Sequence, residues 1–188
     1  MKVTRSSKLS EIIIIEPDVF GDNRGKFMET YQAQRYQHCG IPERFVQDNA
    51  SYSSKGVLRG LHYQLGQPQG KLVLVAQGEI YDVAVDIRKG SPTFGKWEAV
   101  MLSSENHKQI YIPEGFAHGF CVTSETATVF YKCTDYYAPK EERGILWNDP
   151  LLKIKWPVDY PALSDKDSQL PTIEMLSPKE LPSFEDER

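Results

Sequence analysis

His62 lies within Arg59-Gly60-Leu61-His62-Tyr63-Gln64, an imidazole between an apolar and an aromatic neighbour in a strand pattern. Such a side chain projects into a largely buried site. Imidazole changes protonation near neutral pH, which suits it to accept and return protons. Arg59, Lys71 and a cluster of tyrosines downstream supply the cations and acids that carbonyl chemistry needs. A base among anion-binding side chains points to proton abstraction from a phosphorylated or nucleotide-linked substrate. Taken alone, His62 also fits a core histidine whose hydrogen bonds are satisfied.

Other chemistries find less support. The four histidines, His38, His62, His107 and His118, form no HxH or HxxxH pair. A facial metal triad would need distant histidines to meet through folding, so no metal or other cofactor is expected. No serine or cysteine occupies a nucleophile elbow, and no glycine-rich phosphate loop is present. A net charge of −4 with scattered Lys and Arg argues against nucleic acid, which requires a basic face. The longest apolar run, Ile12 to Ile15, is far too short to span a membrane. Residues 1–10 are polar and lack the apolar core of a secretion signal. Cys39, Cys121 and Cys133 are odd in number and show no CxxC spacing, which fits reduced thiols in a cytoplasmic protein.

The elements that must position His62 are mostly strands. From Gly78 to Arg88, Tyr81, Val83, Val85 and Ile87 alternate with Ile80, Asp82, Ala84 and Asp86. That period of two predicts a strand with one face in the core and the other lining something polar. Asp82 and Asp86 share the second face, for hydrogen bonding within the barrel or for a ligand. Leu72 to Ala76 precedes this strand through a tight connection at Gln77-Gly78-Glu79. Trp97 to Leu102, Gln109 to Ile112, Gly119 to Thr123 and Thr126 to Cys133 read as further short strands, separated by Gly, Pro, Ser and Asn turns. One helix is expected, from Glu29 to Cys39, ended by Gly40 and Pro42. Many short strands and little helix predict a sandwich or jelly roll. The 188 residues suffice for one domain, with residues 1–10 and about 178–188 expected to be mobile.

Several segments carry a resemblance to a known family. They are Phe20 to Gly25 (FGDNRG), Phe45 to Asn49 (FVQDN), Leu58 to Gln64 (LRGLHYQ), Gly70 to Val73 (GKLV) and Asp82 to Arg88 (DVAVDIR). Pro92 to Gly95 (PTFG), Ile112 to Phe120 (IPEGFAHGF) and Leu163 to Asp167 (LSDKD) continue the series. In this order, over roughly residues 10 to 170, the chain resembles the dTDP-4-dehydrorhamnose 3,5-epimerases of the rhamnose pathway. The resemblance implies a mostly β, cupin-type jelly roll with few short helices, free of metal and active as a homodimer.

It also implies a reaction and a site. The substrate would be a dTDP-linked 4-keto-6-deoxy sugar, whose C3 and C5 both flank the C4 ketone. Loss of a proton from either carbon gives a carbanion delocalised onto the ketone oxygen. His62 would be the base, with Asp167 orienting its ring, Lys71 stabilising the enolate, and Tyr131 protonating the opposite face. Alternation already puts Ala127, Val129 and Tyr131 on one side of their strand. Without the resemblance, Tyr131 reads as a core tyrosine and Asp167 as an exposed loop acid. Arg24, Phe27, Glu29, Gln47, Asn49, Arg59, His118, Tyr137, Glu142 and Lys166 match family binding residues. The segment around Arg24 to Glu29 would reach into the neighbouring subunit's site. Tyr63 departs from the family's usual phenylalanine. Two alternatives stay open: a related keto-sugar enzyme, either an epimerase acting at C3 alone or a ketoisomerase, and a non-catalytic sugar-nucleotide binding module.

Overall fold

The computed structural model describes residues 1–42 and 44–184. Its first strands are β1 (Lys2–Arg5), β2 (Ile13–Glu16), β3 (Val19–Asp22), β4 (Gly25–Met28) and β5 (Gln47–Ser54). Then come β6 (Leu58–Gln64), β7 (Lys71–Gln77), β8 (Glu79–Asp86) and β9 (Trp97–Ser103). The series ends with β10 (Gln109–Ile112), β11 (Phe116–Val122), β12 (Thr126–Cys133) and β13 (Glu142–Gly144). Two short helices accompany them, α1 (Ala33–Gln37) between β4 and β5 and α2 (Asp165–Ser168) after β13. The strands form a six-stranded sheet, β1-β2-β10-β7-β12-β5, and a five-stranded sheet, β13-β6-β11-β8-β9, while β3 and β4 pair as a separate hairpin. The main core lies between the sheets: Val73, Val75, Ile110, Ala127 and Val129 from one pack with Ile80, Ala84, Phe116, Phe120 and Val122 from the other. The expected β-rich sandwich with few short helices is the observed architecture.

The connection at Gly78 carries the chain from β7 in one sheet to β8 in the other. Gly78 has φ +80°, and a Cβ there would lie 2.0 Å from the Thr126 carbonyl oxygen. Only glycine fits both demands.

β8 corrects one expectation, because both of its faces are buried. Val83, Val85 and Ile87 pack in a second apolar cluster with Leu61, Tyr63, Ile145, Leu152 and Ile173. Ile80 and Ala84 face the main core instead. The two carboxylates on that side are bonded within the protein: Asp82 meets His118, and Asp86 accepts from Arg88, Ser91 and Thr93. The alternation reflects two apolar layers, one on each side of a single sheet.

The helix is shorter than expected. Gln32 is extended and caps it, its side chain accepting from the Arg35 amide at 2.6 Å. Upstream, the Thr30 carbonyl is held by Tyr36 Oη and Gln109 Nε2, each at 2.9 Å, which ties that backbone to the sheet. The ends expected to be mobile make specific contacts where they are described. β1 pairs with β2 along its length, and Leu9 is in the core. Lys89 N donates to the Pro182 carbonyl at 2.7 Å, Phe184 N donates to the Lys89 carbonyl at 3.0 Å, and Leu181 packs on the second cluster. The remainder of that expectation, residues 185–188, lies outside the described residues. All three cysteines are free, with Cys121 and Cys133 buried. Among the described residues, no helix is long and apolar enough to cross a membrane.

Candidate active site

Strand periodicity aims His62. Leu61 and Tyr63 turn to the second apolar cluster, so His62 between them faces the space between the sheets. Burying side chains of that size is worth about 1.5–3 kcal/mol each, enough to oppose a one-residue slip that would reverse every side chain. β6 also lies unusually close to β11. At Gly60, with φ +117°, a Cβ would sit 2.6 Å from Gly119 Cα, so two glycines permit the approach that sets His62 opposite His118.

Asp167 arrives from the other end of the chain on α2, whose first turn is capped by Ser164 Oγ accepting from the Asp167 amide at 3.1 Å. Its Oδ1 is 2.7 Å from His62 Nε2, and its Oδ2 accepts from the Gly60 amide at 3.4 Å. A carboxylate only accepts, so Nε2 is the protonated nitrogen and Nδ1 is left toward the open space. Burial pushes the Asp167 carboxyl upward. The hydrogen bonds and charge of His62, with those from Gly60 and Ser164, outweigh burial and hold it below the ordinary carboxylate range.

Two adjoining cavities, of about 290 and 360 Å³, share His62, Lys71 and Tyr131 in their walls. Gln47, Asn49, Tyr137 and Glu142 line the first. Arg59, His118, Lys166 and Asp167 line the second. The walls come from different sheets. β5, β7 and β12 supply Gln47, Asn49, Lys71 and Tyr131, while β6, β11 and β13 supply Arg59, His62, His118 and Glu142.

Lys71 Nζ and Tyr131 Oη have no hydrogen-bond or ion-pair partner among the described residues, so both are available to a ligand. Burial lowers the Lys71 ammonium from its ordinary value, against the opposing field of Cys133, Asp82 and Glu142. Burial likewise raises the Tyr131 hydroxyl, reinforced by Cys133 and Glu142 and opposed by Arg59. The phenol is thus kept protonated, as a proton donor requires. Among the described residues, Arg59 donates Nε to Ser53 Oγ at 3.1 Å and its terminal nitrogens make no hydrogen bond, so they can take an anion.

The rim residues are linked to one another. Glu142 Oε2 accepts from Tyr137 Oη at 2.6 Å and pairs with Lys166 Nζ at 2.5 Å. Burial pushes Glu142 up, but these two partners outweigh it and lower the carboxyl. The Tyr137 amide donates to Gln47 Oε1 at 2.8 Å, and Gln47 Nε2 donates to Asn49 Oδ1 at 3.0 Å. His118 Nε2 lies 2.9 Å from Asp82 Oδ2.

Arg24, Phe27 and Glu29 stand apart from these cavities. Arg24 and Phe27 border a separate cavity of about 510 Å³ along the β3–β4 hairpin. Arg24 is exposed and pairs with Asp22 at 2.6 Å, and Phe27 is 72% exposed. Glu29 pairs with Arg35 at 2.9 Å. Sequence reasoning missed Gln64 and Gln69, which also line the first cavity. Gln64 had a readable signal, since it lies two residues beyond His62 on the same strand face. Among the described residues, no group of three or more His, Cys, Asp or Glu side chains is placed to hold a metal ion.

A sequence model described as dTDP-4-dehydrorhamnose 3,5-epimerase matches residues 6–175. The chain belongs to the dTDP-4-dehydrorhamnose 3,5-epimerase family. That family is one of isomerases, and this chain is an enzyme of that class. The dTDP-4-dehydrorhamnose 3,5-epimerase of Pseudomonas aeruginosa is 57% identical over 171 residues, covering 90% of this chain and 94% of that one. A dTDP-6-deoxy-D-glucose-3,5-epimerase of Legionella pneumophila, solved in complex with dTDP-4-keto-L-rhamnose, matches with a TM-score of 0.95. It is 52% identical and covers 98% of this chain and 99% of that one. A 3'-monoepimerase of Streptomyces bikiniensis, solved with dTDP-quinovose, matches with a TM-score of 0.87 at 34% identity, covering 96% of this chain and 93% of that one. The cupin-type jelly roll expected of a dTDP-4-dehydrorhamnose 3,5-epimerase is thus the fold of this chain.

Proposed function

We propose that this protein converts dTDP-4-dehydro-6-deoxy-D-glucose into dTDP-4-dehydro-L-rhamnose by epimerising C3 and C5. The observation that carries this reading is the placement of His62 and Tyr131 on different sheets, with Lys71 in the walls of the same two cavities. Epimerisation needs that arrangement, because the proton must leave one face of the sugar and return on the other.

His62 Nδ1 takes the proton from the carbon beside the ketone, while Asp167 holds the ring through Nε2–H and stabilises the imidazolium that forms. The electron pair moves onto the C4 oxygen, where the Lys71 ammonium stabilises the enolate. One preorganised donor of this kind is worth about 3–4 kcal/mol in a dry site. Tyr131 then protonates the carbon from the other side and recovers a proton from solvent, to which His62 releases the one it took. Arg59 and Lys166 bind the diphosphate, with His118, Gln47, Asn49, Tyr137 and Glu142 holding the rest of the nucleotide sugar. Arg24, Phe27 and Glu29 complete the nucleotide pocket of a second copy in a homodimer. The protein acts as one cytoplasmic domain without a metal or other cofactor.

Deuterium uptake by the substrate in D₂O tests the reading. Enzyme-dependent label at C3 and C5, with inverted products trapped by a reductase, is the expected result. No label above the enzyme-free control sinks it and favours a binding module. A second reading, inversion at C3 alone, draws support from the likeness to the Streptomyces bikiniensis 3'-monoepimerase. Label and inversion confined to C3 would establish it instead.

A further inference from the structure

Asp82 is fully buried on β8, and only one of its carboxylate oxygens is satisfied. Oδ2 is 2.9 Å from His118 Nε2, whereas Oδ1 has no hydrogen-bond partner among the described residues. Leaving a buried carboxylate half satisfied costs free energy that folding alone does not require. Its partner suggests why it is there. His118 stands directly opposite His62 in the β11–β6 register and lines the second cavity.

A carboxylate can only accept, so the nitrogen facing Asp82 carries hydrogen and the neutral ring keeps its lone pair on Nδ1. Nδ1 has no partner among the described residues. It is also not among the buried side-chain atoms that lack one, so it remains open at the cavity wall. The neighbouring cations Arg59, Lys71 and Lys166 can only donate. Asp167 is already committed to His62 and Gly60. A hydroxyl entering this cavity needs an acceptor, and His118 offers one.

We propose that Asp82 is a positioning residue. It fixes His118 as the Nε2–H tautomer, so that Nδ1 accepts a hydrogen bond from a sugar hydroxyl of the nucleotide-linked substrate. The inference rests on the function proposed above. It names the residue that decides which nitrogen His118, already among the binding residues, offers to the sugar.

The test combines nitrogen NMR of the labelled wild-type protein with calorimetry. His118 signals are assigned by their loss in His118→Gln. The expected spectrum shows a protonated Nε2 and a lone-pair Nδ1, shifting toward protonated Nδ1 in Asp82→Asn. Calorimetry uses dTDP and dTDP-6-deoxy-D-glucose as probes. Asp82→Asn is expected to leave dTDP affinity within about twofold and to weaken the sugar nucleotide about tenfold, the scale of one neutral hydrogen bond. A wild-type ring protonated at Nδ1, alone or together with Nε2, overturns the proposal without any variant having to fold. Equal losses for both probes overturn it too, by marking general damage. A wild-type protein that binds neither probe removes the functional reading and the subsite together, while the spectrum still reports whether Asp82 sets the His118 tautomer.

Discussion

His62 Nε2 lies 2.7 Å from Asp167 Oδ1, joining residues 105 positions apart. The contact closes only when β6 is in register and α2 is docked against it. The orientation of the His62 ring is therefore tied to the packing of a four-residue helix near the end of the described chain.

His62→Ala is expected to lower kcat by about 10²–10⁴-fold, the usual share of a positioned general base. Affinity for dTDP should stay within about twofold, because an imidazole facing the sugar contributes little to nucleotide binding. Stopped assays and calorimetry on one preparation check both. Unchanged turnover would remove His62 as the base.

Tyr131→Phe keeps the ring packed against the core and removes only the hydroxyl. Proton abstraction continues in this variant while delivery on the opposite face stops. Exchange of substrate hydrogen in D₂O should then outpace inversion by about 10²-fold or more. Normal inversion would refute the acid role.

Lys71→Met separates stability from function. Burial lowers the Lys71 ammonium from its ordinary value, so the fold disfavours its charged form. Replacing it with an apolar chain of similar length should raise Tm, by about 2–4 °C per kcal/mol at this chain length. The wild-type penalty fades as pH rises through the lowered folded value, so the Tm gap should narrow at alkaline pH. Turnover should fall by about 10²–10³-fold. A lower Tm at neutral pH would show that the ammonium is satisfied in the fold.

Asp167→Asn probes the opposite sign. The folded carboxyl is held below its ordinary value by His62, Gly60 and Ser164, so its ionised form stabilises the fold. That contribution is complete above the unfolded value, about 3.9, and drains away as pH falls toward the folded one. The variant should therefore be less stable than wild type at neutral pH, with the difference closing in acid. Denaturant titrations at both ends of the range decide it, and a gap that is constant with pH would count against the linkage.

The sequence made some elements more legible than others. β10 and β12 were read with their observed bounds, because β-branched and aromatic residues alternate between clear turn signals. β5, with the sequence QDNASYSS, offered no apolar alternation, since much of it is exposed and part lines a cavity. The helix itself was legible but the late start of α1 was not, because the contacts that hold Thr30 come from Tyr36 and Gln109, the latter far along the chain. Within the site, motif order suggested that His62, Lys71, Tyr131 and Asp167 belong together. Local pattern alone could not, because sequence separation hides tertiary pairs. The Asp82–His118 pair became visible only through the β8–β11 alignment.

The apolar layer between the sheets also acts as a spacer. In register, Val73 stands beside Tyr131 and Ala84 beside His118, and both small residues are fully buried in that layer. Its thickness sets the gap between the wall that carries Tyr131 and the wall that carries His62, the proposed acid and base for a single sugar ring. Interior volume here is thus a dimension of the reaction as well as a reserve of cohesion. Ala84→Val, which thickens the layer by two methyl groups, should slow kcat by a larger factor than its shift in Tm would suggest, measurable by pairing kinetics with calorimetric melting.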